Sequence, residues 1–291
     1  MDIIPALLTG LALGSIYGLI ALGFHITSSV CGAVNFAQGS SAMLGAVLLW
    51  MMMQAGWPLP IALCVSILCC AAYGLVVERI AVRPFLARKS DAWLMATVAL
   101  GLVCDHGMML IFGAEPRSLP SALATSSVRV GQADLGIYPL HLLIPVVMLL
   151  LAAGIDLFRR RTLHGIAMLA VAQNREAANI MGIPVARVIA AAFALSSALA
   201  GIAGMMVAPL AHVETSMGVV LGLKAFAVAI LGGLGSAWGI VAAALLFGLV
   251  EALVTLGLGS GYTQIVTFLL VIITLAVRPN GLLGQAQVRK V

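Results

Sequence analysis

The chain has 291 residues, of which 63% are hydrophobic and only 9% are charged, and its mean hydropathy is +1.16. Soluble globular domains carry about 25% charged residues, so this composition excludes an ordinary soluble enzyme or binding domain. The net charge of +5 does not indicate nucleic-acid binding, because the basic residues are concentrated in a few short segments. An integral membrane protein is therefore predicted.

The first apolar stretch, residues 3–30, is preceded by Asp2 and by no Lys or Arg. A secretory signal peptide would begin with a basic segment, so this stretch is predicted to be a retained first span. Gly10, Gly14 and Gly18 repeat at every fourth position and share one face of the predicted helix. Because small residues allow close helix packing in lipid, a tight helical bundle is predicted.

Further apolar stretches follow along the chain, and crossing the hydrocarbon takes roughly 20 such residues. They are 35–53, 60–77, 92–113, 138–158, 188–208 and 218–277, the last being long enough for about three crossings, the first of them short. The predicted fold is an all-α, polytopic transmembrane helical bundle of about eight spans with interrupted helices. Residues 35–53 can alternatively be re-entrant, which leaves the side of the N-terminus open.

The basic residues mark the predicted loops. Segments 78–91, 159–187 and 278–291 hold 12 of the 15 Lys and Arg residues. Because cytoplasmic loops are enriched in Lys and Arg, these three segments are predicted to face the cytoplasm, and the polar stretch 114–136 the outside.

Two segments interrupt the apolar runs with polar residues or glycines, one near residue 37 and one near residue 234. A helix break at membrane depth must be buried in protein or line a water-filled cavity, and such breaks form solute sites in transporters. The residues predicted to line a solute path are Asn35, Phe36, Gln38, Gly39, Lys224, Gly232, Gly233 and Gly235. The alternative is that neighbouring helices satisfy these polar groups.

Other ionisable residues also lie within predicted spans: His25, Asp105, His106 and Glu251. Such residues are functional candidates by default, although a structural role within the bundle is the more frequent one. None of the five cysteines has a partner at metal-ligand spacing, and no catalytic motif is present. No catalytic, metal or cofactor site is predicted.

The basic segment 159–188 contains a short predicted helix. Asn174 can cap it, and Glu176 lies in the first turn, where an acidic side chain suits the helix dipole. Gly182 can end it in a left-handed conformation, and Pro184 prevents its continuation. The apolar face consists of Ala177, Ala178 and Met181. The segment is predicted to dock into a groove on a partner protein, with an ordinary loop helix as the alternative.

The pattern Glu176-Ala177-Ala178 followed by Gly182 resembles the coupling loop of ABC importer membrane subunits. Other segments are similar to one branch, the high-affinity branched-chain amino acid permeases and their urea-transport relatives. These segments are 14–23, 34–39, 224–236 and 278–284. They occur in the family's order over almost the whole chain, and the first of the two paralogous permeases in such systems is the more similar.

The resemblance implies one permease domain over 1–291 that translocates branched-chain or related amino acids across the bacterial inner (plasma) membrane. It implies ABC ATPase subunits, a paralogous permease or second copy, and an extracytoplasmic solute-binding protein as partners, with lipid but no nucleic acid. The chain lacks a GxxxxGK[ST] phosphate loop, so ATP hydrolysis is expected in a separate chain. A permease for urea or short amides is the first alternative, and a secondary transporter or an intramembrane enzyme is less favoured.

Overall fold

The chain folds into a bundle of apolar helices, and the computed structural model describes residues 3–88, 90–121, 129–130, 133–134 and 138–277. The helices are α1 (Ile3–Cys31), α2 (Gln38–Gln54), α3 (Leu59–Val77), α4 (Arg83–Ala87), α5 (Trp93–Phe112), α6 (Pro139–Arg161), α7 (Leu163–Gln173), α8 (Arg175–Ile180), α9 (Val185–Val207), α10 (Met217–Gly232), α11 (Ala237–Leu258) and α12 (Ser260–Val277). A π-helical segment, Glu78–Val82, joins α3 to α4. Two short strands, β1 (Arg129–Val130) and β2 (Ala133–Asp134), pair antiparallel.

Six helical stretches among the described residues are long and apolar enough to cross a membrane: α1, 59–87, α5, α6, α9 and α11. Helix α10 is also apolar but has only 16 residues, or about 24 Å at ~1.5 Å per residue. The region 218–277 contains three helices, the first of them short, as predicted. The all-α polytopic bundle is therefore confirmed, and the helices are consistent with about eight spans.

Helix α1 lies at the centre of the bundle and packs against α6, α9, α10 and α11. A Cβ added at Gly10 or Gly14 would overlap the backbone of α11, at Gly248 and Ala244 respectively. The two helices therefore approach each other backbone to backbone, as the glycine repeat predicts.

The loops form two groups at opposite ends of the bundle. At one end, here called the basic end, Arg83 and Arg175 line a common cavity, and the Arg175 guanidinium donates a hydrogen bond to the Cys31 carbonyl oxygen. At the other end, the Trp50 indole Nε1 donates to the Ser118 carbonyl oxygen at 3.1 Å. Segments 78–88 and 159–187 therefore lie at the same end of the bundle, as their shared prediction as cytoplasmic loops requires. The third basic segment, 278–291, lies outside the described residues.

Two local features differ from the predicted spans. Helix α2 begins at Gln38, after a non-helical segment at 33–37, so the second stretch is shorter than predicted. The loop after α6 contains α7, which Thr162 caps by accepting a hydrogen bond from the Gly165 amide at 3.0 Å. Neither the interruption at 33–37 nor α7 alters the order of the spans.

Candidate functional site

A cavity of about 160 Å³ lies between α2, α5, α10 and the C-terminal part of α1. Three aromatic rings form one wall: the Phe226 centroid is 5.7 Å from that of Phe24 and 5.1 Å from that of Phe36. Val98 and Leu102 of α5 contribute aliphatic surface. The cavity is therefore mainly apolar.

Glycines bring the walls of this cavity together. A Cβ added at Gly39 would overlap the Gly218 carbonyl oxygen and would lie 3.1 Å from the Gly222 Cα. The first turn of α2 therefore touches the backbone of α10 directly, and all three glycines line the cavity. Two residues of the predicted solute path, Phe36 and Gly39, line it as well.

Asn35 and Gln38 instead form hydrogen bonds inside the bundle. The Asn35 Oδ1 accepts from the Ala37 amide at 3.1 Å, and the Asn35 Nδ2 donates to the Gln38 Oε1 at 3.2 Å. The Gln38 Nε2 donates to the Ser196 carbonyl oxygen at 2.8 Å, and the Ser196 hydroxyl donates back to the Gln38 Oε1 at 2.9 Å. These hydrogen bonds hold Phe36 and Gly39 in the cavity wall. They agree with the alternative that other groups inside the bundle satisfy the polar side chains of the break.

Asp105 of α5 lines this cavity, although the predicted path did not include it. The residue is only 8% exposed, and its Oδ1 is buried without a hydrogen-bond partner among the described residues. It also lines a second cavity of about 270 Å³ that continues past Met109 to Thr215 and Ser216. The sequence signal for Asp105 was its position as an ionisable residue in the middle of a span.

Lys224 does not line the cavity. Its Nζ lies 2.5 Å from the Glu251 Oε1 and donates to the Tyr17 hydroxyl at 3.1 Å. The ammonium group therefore links α10 to α11 and α1.

The second predicted break, Gly232, Gly233 and Gly235, forms the turn between α10 and α11. Gly233 has φ +84°, and the Ser236 hydroxyl caps α11 by accepting from the Gly239 amide at 3.1 Å. The turn is held at the basic end, because the His25 Nδ1 donates to the Leu234 carbonyl oxygen at 2.6 Å and the Arg159 Nη1 donates to the His25 Nε2 at 2.5 Å. Gly235 and Ser236 line a separate cavity of about 410 Å³ there. The two breaks therefore line different cavities.

The predicted short helix in the basic loop is α8. The Asn174 Oδ1 accepts from the Ala177 amide at 3.0 Å, Glu176 lies in the first turn, and Gly182 has φ +82°. Pro184 immediately precedes α9. The predicted cap and the left-handed ending are therefore confirmed.

The surface of α8 differs in part from the predicted apolar face. Ala178 is buried against the bundle, whereas Ile180 is 84% exposed and Met181 is 80% exposed. The exposed apolar surface therefore lies at the end of α8 that leads into Gly182.

A family model described as branched-chain amino acid transport system / permease component matches residues 6–275. The chain belongs to this family. The permease is 33% identical over 295 residues to the high-affinity branched-chain amino acid transport system permease protein LivH of Escherichia coli K12, covering 97% of this chain and 96% of LivH. It is 32% identical over 298 residues to BraD of Pseudomonas aeruginosa, a permease protein of the same description, covering 98% and 97%.

A solved structure, PsaBC from Streptococcus pneumoniae in complex with Fab, matches 96% of the permease and 93% of that chain with 13% identity and a TM-score of 0.49. The family resemblance predicted from the motifs is confirmed by the family match and by the full-length similarity to LivH and BraD. The permease is therefore a multi-pass membrane transport component.

Proposed function

We propose that the permease translocates branched-chain or related small amino acids across the bacterial inner membrane as the membrane subunit of an ATP-driven importer. The observation that carries this proposal is the small apolar cavity beside Asp105, in a chain of this family. Two named relatives, LivH and BraD, are permease proteins of high-affinity branched-chain amino acid transport systems.

The size and walls of the cavity favour this solute class. Pockets for drug-sized ligands occupy about 300–1,000 Å³, so a cavity of about 160 Å³ suits a small solute. Phe24, Phe36 and Phe226 offer apolar contact to a branched aliphatic side chain. Urea and the shortest amides have no such side chain, so they would gain little from burial against these walls. Amino acids are therefore favoured over these alternatives.

A second permease, either a paralogue or another copy of this chain, covers the open side of the cavity. That side is bordered by the exposed side chains of Val98, Leu102, Val219 and Leu223, which are all apolar. If this face met lipid, Asp105 would lie beside hydrocarbon, and a charged group there is costly. A protein partner that encloses the cavity between two subunits removes this cost.

A separate ATPase chain docks at α8 on the cytoplasmic side. Ile180 and Met181 offer an exposed apolar contact next to Glu176, and Gly182 leads directly into α9. Helix α9 carries Ser196, which holds Gln38 beside the cavity wall at Gly39. A displacement of α8 would therefore reach the cavity through one continuous helix.

The whole chain, 1–291, acts as one permease domain whose coupling loop is 159–188. At the opposite end of the bundle, an extracytoplasmic solute-binding protein delivers the solute.

A secondary transporter is the alternative class of function, and it gives no role to the exposed end of α8.

The test is purification of the tagged permease from its native membrane, identification of the co-purifying chains, and reconstitution of the complex in proteoliposomes. An ATPase is expected to co-purify, and uptake of radiolabelled leucine is expected to require ATP and to exceed uptake of urea and acetamide. ATP-independent leucine uptake would favour a secondary carrier. Preferential uptake of urea or acetamide would move the solute class to the amide branch.

A further inference from the structure

We propose that Asp105 is the residue that binds the ammonium group of the solute. The cavity would then select small molecules that join a cationic amine to a compact apolar body. This inference rests on the proposed function and adds to it the chemical group that is recognised and the residue that recognises it.

The first argument is the unsatisfied oxygen of Asp105. The Oδ1 of Asp105 is buried and has no hydrogen-bond partner among the described residues, and none of the ion pairs found there involves Asp105. The Ser40 side chain of α2 hydrogen-bonds to the same carboxyl group, so the deficit is confined to Oδ1. A buried carboxylate oxygen without a partner is costly. Its neighbour His106 is exposed, and the His106 Nδ1 donates to the Leu102 carbonyl oxygen at 2.8 Å. The ammonium group of a bound solute would supply the missing partner.

The second argument is the position of this carboxylate. Asp105 lies where two cavities meet: one reaches towards Thr215 and Ser216, and the other is enclosed by the aromatic wall. Leu102 and Val219 are also shared by both cavities. A solute that passes from one cavity to the other must therefore pass Asp105.

The third argument is the chemistry of the cavity wall formed by α2. Gly39 and Ser40, in the first turn of α2, line the same cavity. The first amides of a helix lack partners within the helix, and its positive dipole end favours anions. An amino acid can therefore place its ammonium group at Asp105 and its carboxylate towards α2, with its side chain against Phe36 and Phe226. Neither urea nor a short amide carries this pair of charges.

The test uses the full complex with its ATPase and second permease, purified without the solute-binding protein. Binding of radiolabelled leucine is measured in competition with 3-methylbutylamine and 4-methylpentanoate. These compounds keep a branched aliphatic body like that of leucine but carry only the amine or only the carboxylate. In the parent, the amine is expected to compete at least about tenfold better than the acid.

Asp105→Asn, which keeps the shape and removes the charge, is expected to lower leucine affinity at least about tenfold and to abolish the advantage of the amine. The matched control is Asp156→Asn, the same change at a carboxylate that pairs with Arg160 at 2.9 Å at the basic end. This control is expected to bind like the parent.

Four results would overturn the role of Asp105: leucine affinity of Asp105→Asn within twofold of the parent, an amine advantage that persists in this variant, an acid that competes as well as the amine in the parent, or a parent complex that binds no leucine. If Asp105→Asn does not assemble, the comparison of the two competitors in the parent decides. ATP-dependent leucine uptake with the binding protein present tests the proposed function separately. A failure of the role of Asp105 can therefore be distinguished from a failure of the proposed function.

Discussion

Lys224 and Glu251 form an ion pair inside the bundle, with the Lys224 Nζ 2.5 Å from the Glu251 Oε1. The Glu251 Oε2 is buried without a partner among the described residues, and Tyr17 accepts a hydrogen bond from the same ammonium group. The pair joins α10, which forms one wall of the solute cavity, to α11. Lys224 therefore positions the wall from the side that faces away from the cavity.

Replacing Lys224 by Met is expected to destabilise the permease, because it leaves the buried Glu251 carboxylate without its cationic partner. Removing one partner of a buried ion pair costs about 3–5 kcal/mol. The double variant Lys224→Met, Glu251→Leu is expected to recover much of this loss. The measurement is thermal unfolding of the detergent-purified protein. A single variant that unfolds at the parental temperature would show that the pair contributes little.

Replacing Gly39 by Leu is expected to abolish uptake while the protein still inserts in the membrane. The new side chain would overlap the Gly218 carbonyl oxygen and enter the cavity wall. The control is Gly154→Leu on α6, where a Cβ meets nothing within 4 Å. Uptake by proteoliposomes is measured for both. Parental uptake by Gly39→Leu would remove this cavity from the solute path.

Replacing Gly182 by Val is expected to misdirect the end of α8, because φ +82° costs a β-branched residue roughly 1 kcal/mol or more. A Cβ at Gly182 meets nothing within 4 Å, so any effect comes from the backbone. Gly182→Asn is the matched control, since Asn tolerates the left-handed conformation. The variant with Val is expected to lose ATPase co-purification or solute-stimulated hydrolysis, and the variant with Asn to retain both. Equal behaviour of the two would exclude the backbone as the cause.

Reversing the charge at Glu176 is expected to weaken ATPase attachment through two effects. A lysine in the first turn of α8 opposes the helix dipole by about 0.3–1 kcal/mol and changes the charge beside the exposed Ile180 and Met181. Glu176→Gln, which removes the charge without reversing it, is expected to have a smaller effect. ATPase co-purification at increasing salt separates the variants. Retention of the ATPase by Glu176→Lys at parental salt dependence would contradict docking at α8.

The distribution of basic residues predicts that Ser90 and Gln287 face the cytoplasm and that Arg129 faces outside. Single cysteines at these positions, in a background without Cys31, Cys64, Cys69, Cys70 and Cys104, are labelled with an impermeant thiol reagent in intact cells. Labelling is expected at position 129 alone. Labelling at position 90 or 287 from outside would reverse the assignment of the basic loops.

Features that depend on composition or on neighbouring residues could be predicted from the sequence. The apolar content requires membrane spans, because a soluble fold of 291 residues could not bury this many apolar side chains. The cap at Asn174 and the left-handed Gly182 are set within a few residues of α8, so they were predictable. The glycine repeat likewise predicted a close helix contact, although not that Gly248 would be the partner.

Which polar residues meet the cavity could not be predicted, because it depends on contacts between helices that are far apart in the chain. Gln38 is satisfied by Ser196, which is 158 residues away in the chain, and Lys224 by Glu251 on another helix. The Asp105 Oδ1 has no hydrogen-bond partner among the described residues, and Asp105 lines the cavity. All three are polar residues in apolar stretches, and no local pattern distinguishes them. Whether a buried polar group is paired or left open to a solute depends on how helices distant in the chain pack together.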